Sequence, residues 1–234
     1  MKILEVKNMT KAYDSSHGIF SFDFDVNSGD IVLLLGPNGA GKTTAFNSIL
    51  GLTKSKYDSI KLFGENINED NKHMIGAMVS KPCFYEDMTA VKYLDLFSRI
   101  YKLSDQRKFE VLDQVGLKEA ENKKIKTFST GMKQRLDFAR SIIHQPKLLL
   151  LDEPFSGMDI EAKADFKRVL KSMTQTGVVI SSHMVGDLES IANRLVIVSH
   201  GKILFNGSMS EVTKSGLDLE AFYLSRINSL KEAI

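Results

Sequence analysis

With 234 residues, 43% of them apolar and 26% charged, the chain has the composition of an ordinary globular protein with one sizeable core. Its net charge of +2 gives no electrostatic reason for a nucleic-acid partner, and no uncharged apolar run is long enough to cross a bilayer. The amino-terminal MKILEVKNMT lacks a signal-peptide core, and the single cysteine, Cys83, excludes an internal disulfide and reads as a small apolar filler, so a cytoplasmic location is expected.

From Met1 to Asp30 the apolar residues alternate, with Phe20, Phe22, Phe24 and Val26 at two-residue spacing, which predicts antiparallel strands. Tyr13 lies in the polar link between them, as a half-buried loop aromatic or as a platform for an adenine ring. Ile31 to Leu35 is a short apolar run rich in β-formers, suited to a strand buried on both faces of a parallel sheet. The turn that follows is built from Gly36, Pro37, Asn38, Gly39, Ala40 and Gly41, and a helix begins near Lys42. Helix N-terminal N–H groups and the Lys42 charge favour phosphate, Thr43 is placed to ligate Mg²⁺, and Thr44 continues the motif. The full pattern G-x-x-x-x-G-K-T between a strand and a helix predicts binding of a nucleoside triphosphate. Gly51 is the expected end of the helix.

Ser59 to Phe63 and Ile75 to Val79 read as short strands, after which the pattern changes at Lys81 and Pro82. A helix is expected from Thr89 to Lys102, with Leu94, Phe97, Ile100 and Tyr101 on its apolar face. A second is expected from Asp105 to Val115, capped by Ser104 and closed by Gly116. The basic cluster Lys123, Lys124 and Lys126 reads as a solvated loop. Phe128 to His144 is again helical, and Ser129 and Gly131 at its start make either an ordinary cap or a second anion site.

Leu148 to Leu151 is a second fully apolar strand, closing in Asp152, Glu153 and Pro154. Two carboxylates at the carboxyl end of a buried strand fall where α/β sheets bind ligands: Asp152 suits Mg²⁺ and Glu153 a general base. Val178 to Ile180 is a third such strand, ending in Ser181, Ser182 and His183, where His183 can reach a γ-phosphate or an attacking water. A hairpin across His200 and Gly201 joins Leu195–Ser199 to Ile203–Phe205. An amphipathic helix carrying Leu219, Phe222, Tyr223 and Leu230 follows.

GPNGAGKTT at 36–44, FSTGMKQRL at 128–136, LLLLDEP at 148–154, FSGMD at 155–159 and SSH at 181–183 together resemble the ATP-binding cassette family over almost the whole chain. The resemblance implies an α/β fold: a P-loop NTPase core with a mixed sheet, an N-terminal antiparallel β subdomain and an inserted α-helical subdomain. Core and β subdomain would occupy 1–84 and 136–234, and the helical subdomain with its signature motif 85–135. The likeness further implies that two subunits close head to tail around ATP. Tyr13 would stack on adenine, Gly36 to Thr44 would hold the phosphates, and Thr43 with Asp152 would position Mg²⁺. Ser129 and Gly131 would meet the γ-phosphate of the opposite nucleotide. Glu153 resembles the catalytic base, His183 the switch histidine, and Asp159 the residue that communicates between sites.

Two positions depart from the family pattern. The usual Leu-Ser-Gly-Gly-Gln is altered by Phe128, Thr130, Met132 and Lys133 around the retained Ser129 and Gly131, a continuation that resembles bacterial exporters of antimicrobial peptides and drugs. Ser80, 38 residues after Lys42, stands where the family carries a glutamine or glutamate near the metal. The resemblance implies an ATPase that works with a separate integral-membrane transporter subunit and a second cassette, peripheral on the inner face of the membrane and without a nucleic-acid partner. The Ser80–Met88 loop and the helical subdomain would form the contact, with Phe84 and Tyr85 positioned to dock a short helix of the membrane subunit. A soluble cassette acting on DNA or ribosomes would need tandem cassettes or long coiled coils. A phosphate-loop kinase or GTPase would leave the signature helix and His183 unexplained.

Overall fold

The two alternating segments at the amino terminus become β1 (Lys2–Ala12) and β2 (Gly18–Asn27), paired antiparallel. Phe22, Phe24 and Val26 turn inward on β2 while Ser21 and Asp23 face solvent, the period-2 pattern of a half-buried sheet. The apolar run Ile31–Leu35 is β3, and Lys42–Ile49 is the helix α1. β4 (Ser59–Leu62) pairs with β1, and the two-residue β5 (Glu65–Asn66) completes a four-stranded sheet in the order β2-β1-β4-β5. A computed structural model describes residues 1–14, 17–79, 82–186 and 188–232.

The second sheet contains β3, β6 (Ile75–Met78), β7 (Leu148–Asp152), β8 (Gly177–Ser182), β9 (Arg194–Ser199) and β10 (Lys202–Ser208), in the order β10-β9-β3-β8-β7-β6. Four of its five neighbouring pairs are parallel and the β9–β10 hairpin is antiparallel, so the sheet is mixed. Successive side chains of a strand point to opposite faces, and here both faces are covered. Val32, Leu34, Leu148, Leu150 and Val179 pack with α1 and the antiparallel sheet, while Leu33, Leu35, Leu149, Leu151 and Ile180 pack under the other helices. That two-sided burial is why β3 and β7 are uninterrupted apolar runs; each leucine contributes about 1.5 to 3 kcal/mol to folding.

Between β6 and β7 lie α2 (Ala90–Ile100), α3 (Arg107–Gln114), two short 3₁₀ turns, and α4 (Thr130–Ile142). Thr89 caps α2 by accepting from the Lys92 N–H, as its sequence position predicts. Three expectations from this region fail. Ser104 does not cap α3, which starts two residues beyond the expected Asp105 with only the Ser104 carbonyl receiving the Arg107 N–H. Ile100, placed on the apolar face by its spacing, is 69% exposed, because α2 buries the stripe through Ala90, Tyr93, Leu94 and Ser98, with Phe97 partly buried beside it. Cys83 is exposed and fills no core.

After β7, α5 (Ile160–Ser172) packs on α4 through Phe166 and Phe138, whose rings stack at 3.8 Å. The chain ends in α6 (Met209–Lys214) and α7 (Leu219–Glu232), the latter seated by Leu219 and Phe222. Among the described residues no helix is long and apolar enough to cross a membrane.

Candidate functional site: a phosphate loop facing paired carboxylates

The carboxyl ends of three neighbouring strands converge. Leu35 of β3 is in register with Ser182 of β8, and Ser181 of β8 with Asp152 of β7. The Gly36 N–H donates to the Ser182 carbonyl at 3.2 Å, which starts the loop beside His183. Two glycines of that loop stand where a side chain would be strained. A Cβ on Gly36 would lie 2.3 Å from the Val198 carbonyl, and Gly41 sits at φ +101° with its missing Cβ 2.8 Å from the Gly18 carbonyl.

Lys42 opens α1 and is only 6% exposed. Its ammonium donates to the carbonyls of Gly36 at 2.6 Å and Pro37 at 3.2 Å, and lies 3.5 Å from Glu153 Oε1. A buried charge held by backbone carbonyls beside a helix N-terminus is a cation arranged for an anion. The loop borders a cavity of about 290 Å³ whose wall runs from Tyr13 and His17 through Asn38, Gly39, Ala40, Gly41, Lys42, Thr43 and Thr44 to Asp152 and Glu153. Tyr13 is 61% exposed there, which leaves its ring available for stacking, with Lys11 Nζ 5.1 Å from the ring centre.

Both oxygens of Asp152 accept hydroxyl protons: Oδ2 from Thr43 Oγ1 and Oδ1 from Ser181 Oγ, each at 2.5 Å. Ser181 Oγ in turn accepts the Glu153 N–H at 3.0 Å. Glu153 occupies φ +48°, a left-handed backbone position that a non-glycine residue adopts only when its surroundings hold it there. Its Oε2 lies 2.8 Å from His183 Nδ1, and its Oε1 is buried with no hydrogen bond, the Lys42 ammonium being a longer ion-pair contact. Thr43 Oγ1 and the Asp152 carboxylate are hard oxygen donors brought together from two elements, the donor set that Mg²⁺ takes with phosphates. An orphaned carboxylate oxygen facing an ammonium and a histidine suits an acceptor of a water proton.

Ser129 caps α4, its hydroxyl accepting from the Met132 N–H at 3.2 Å, and both Ser129 and the less exposed Gly131 stand apart from the cavity lined by Lys42. Asp159 caps α5, accepting from the Ala162 N–H at 2.8 Å. One chain therefore holds two separated anion-type helix starts. Ser80 lies outside the described residues.

The sequence profile described as ABC transporter matches residues 19–156, more than half of the chain. The chain belongs to the ABC transporter family. The ABC transporter ATP-binding protein YdbJ of Bacillus subtilis is 37% identical over 223 residues, covering 92% of this chain and 71% of YdbJ. The bacitracin transport ATP-binding protein BcrA of Bacillus licheniformis is 35% identical over 233 residues, covering 97% of this chain and 76% of BcrA. A solved structure of an ATP-binding subunit of an ABC transporter superposes with a TM-score of 0.86 at 25% identity, over 96% of this chain and 99% of that one. The ABC ATP-binding fold expected from the motifs is therefore the fold observed, and its members bind ATP.

Within this ABC chain, two site features escaped the sequence reading. Ser181 joins Asp152 to the Glu153 backbone, and only its register opposite Asp152 reveals that; as part of SSH it reads as a strand end. His17 lines the nucleotide-side cavity and is tied to Asp14 through a 2.7 Å contact, with no motif to announce it.

Proposed function

We propose that this chain is the ATP-hydrolysing subunit of a bacterial exporter and energises a separate integral-membrane subunit. The observation that carries the reading is the Glu153 carboxylate, set between His183 and Lys42 at the mouth of the phosphate loop. Lys42 exchanges its loop carbonyls for phosphate oxygens, while the backbone from Gly36 to Thr44 surrounds the phosphates and Tyr13 stacks on the adenine. Glu153 accepts the proton of the attacking water, and His183 holds that carboxylate in place and reaches the γ-phosphate. Thr43 and Asp152 hold Mg²⁺, with Ser80 as a further contributor. Bound there, Mg²⁺ neutralises charge on the phosphates.

A second cassette, identical or homologous, closes head to tail so that Ser129 and Gly131 meet the γ-phosphate held by the opposite loop. Asp159, at the start of α5, communicates between the two sites. Such a pairing gives the separated helix start of α4 an anion to bind. The membrane subunit docks on the helical subdomain, 85–135 in a division that leaves 1–84 and 136–234 as core and β subdomain. Tyr85, 63% exposed, offers the contact, whereas Phe84 is partly buried against the Tyr93 ring at 5.2 Å. The chain then works on the inner face of the cell membrane, and its net charge of +2 favours no nucleic acid. BcrA's description as a bacitracin transport protein supports antimicrobial or toxic peptides or drugs as cargo.

The test is affinity purification of the tagged chain from detergent-solubilised membranes of its native cell, followed by mass spectrometry and an ATPase assay of the eluate. A stoichiometric multi-span protein and turnover of ATP are expected. Recovery of ribosomal or DNA-associated proteins alone would overturn the transport reading.

A further inference from the structure

Arg140 stands where three elements meet. Its Nε donates to Asp137 Oδ1 at 2.7 Å within α4, its Nη2 donates to the Ala77 carbonyl of β6 at 2.8 Å, and its guanidinium lies 5.8 Å from the centre of the Phe97 ring on α2. Asp137 is 1% exposed, and burial raises its carboxyl above the usual range while Arg140 opposes that shift. A desolvated ion pair is an inefficient way to stabilise a core, since an apolar pair of similar volume often does as well. What the pair supplies is fixed geometry: a planar guanidinium satisfies two acceptors on different elements at once, which a lysine ammonium at the same place does less well.

The place that is fixed borders the reaction. Asp137 lines a cavity of about 280 Å³ together with Met78, Val79, Asp152 and Glu153. β6 leaves the sheet at Met78 into the wall of that cavity, one residue after the carbonyl that Arg140 holds. Ser129 begins the same helix eleven residues earlier, about 16 Å along a rigid axis.

We propose that Asp137 and Arg140 are positioning residues for hydrolysis: α4 holds the exit of β6 against Asp152 and Glu153 through them, and so joins the Ser129 end of the helix to the catalytic side. The inference rests on the hydrolase reading given above. Arg140 lines neither the cavity at Lys42 nor the one at Asp137; it acts through the Ala77 carbonyl and the Met78–Val79 backbone beside it.

Two variants test it in the purified chain: Arg140→Lys, which keeps the charge, and the double variant Asp137→Leu/Arg140→Met, which removes both charges and refills the volume. Turnover, the Kd for a fluorescent ATP analogue, Tm, and amide hydrogen exchange at 77–79 are measured together. The expected result is a turnover loss of at least about tenfold in both variants, with Kd within about twofold of wild type and faster exchange at 77–79, because a misplacement of about 1 Å costs rate without removing binding groups. A double variant with wild-type turnover and exchange would overturn the proposal, as would turnover and Kd failing in parallel with Tm in both variants. A wild-type chain without turnover would instead remove the hydrolase reading, and the exchange data would still decide whether Arg140 holds β6.

Discussion

Thr43 and Asp152, 109 positions apart, share a 2.5 Å hydrogen bond from Thr43 Oγ1 to Asp152 Oδ2. The bond spans from α1 to β7, although β8 lies between β3 and β7 in the sheet, and Ser181 of β8 holds the other oxygen of the same carboxylate. The aspartate is therefore oriented from both sides. Ser181→Ala removes the hydroxyl that joins Asp152 to the Glu153 N–H, and leaving that N–H and a carboxylate oxygen short of partners costs about 1 to 3 kcal/mol. The variant is expected to show a lower Tm and a higher Mg²⁺ requirement for turnover; an unchanged Mg²⁺ titration would remove Ser181 from the site.

Glu153→Gln keeps the shape of the side chain and can still bond His183, but it cannot take up a proton from water. ATP affinity is expected to persist while turnover falls by about 10² to 10⁴, the range for a lost general base. Wild-type turnover in this variant would show that another group accepts the proton.

In the phosphate loop, binding and backbone geometry separate. Lys42→Ala removes the buried ammonium and should weaken nucleotide binding itself, measured as a raised Kd. Gly41→Ala instead forces a side chain to φ +101° against the Gly18 carbonyl and Ile19, a strain of about 1 to 3 kcal/mol that appears as a lowered Tm without any nucleotide present.

Ser129 has a local duty in the structure and a proposed distant one. Ser129→Ala should cost about 1 kcal/mol through loss of the cap on α4. Ser129→Asp keeps a capping oxygen but sets a negative charge where a γ-phosphate would approach. ATP-dependent dimers, read by light scattering of a Glu153→Gln background, are expected to disappear in the aspartate variant while its Tm stays near wild type. Dimers that survive would exclude the proposed contact across the interface.

His144 gives a pH signature unrelated to catalysis. Burial pushes its imidazole down to about 4, with the charges of Arg140, His73 and Arg107 acting the same way and the Ile75 carbonyl opposing. It stacks on Tyr101 at 4.3 Å, and its Nδ1 has no partner among the described residues. Because the folded value lies below the ordinary 6.5, the unfolded chain takes up the proton first as pH falls. The stability it contributes is complete above pH 6.5 and is lost toward pH 4, amounting to about 2 kcal/mol after allowance for its solvent-facing edge. His144→Phe keeps the stack and should flatten that part of a urea-unfolding profile between pH 7 and 4. An unchanged acid slope would assign the effect to other groups.

The motifs were legible because each depends on a local requirement. Ile31–Leu35 and Leu148–Leu151 must be apolar throughout, since both faces of their sheet are covered, and polar groups must then follow at the strand ends. The glycines of the loop are demanded by backbone approach, so the sequence by itself determined the fold class, the phosphate loop and the Asp152–Glu153 pair. Ser129 caps as its position implies, whereas Ser104 does not, because α3 is held by Val111 and Leu112 in the core and by Arg107 on the Ile142 and Ile143 carbonyls and not by a cap. Only the tertiary structure decided that Ser181 orients Asp152, that Arg140 joins α4 to β6 and α2, and that Cys83 is exposed. Those contacts depend on strand register and on the angle at which helices cross the sheet, which no local stretch encodes. A hydroxyl, a guanidinium or a thiol has the same identity in the chain wherever it points, and long-range packing alone chooses its partner.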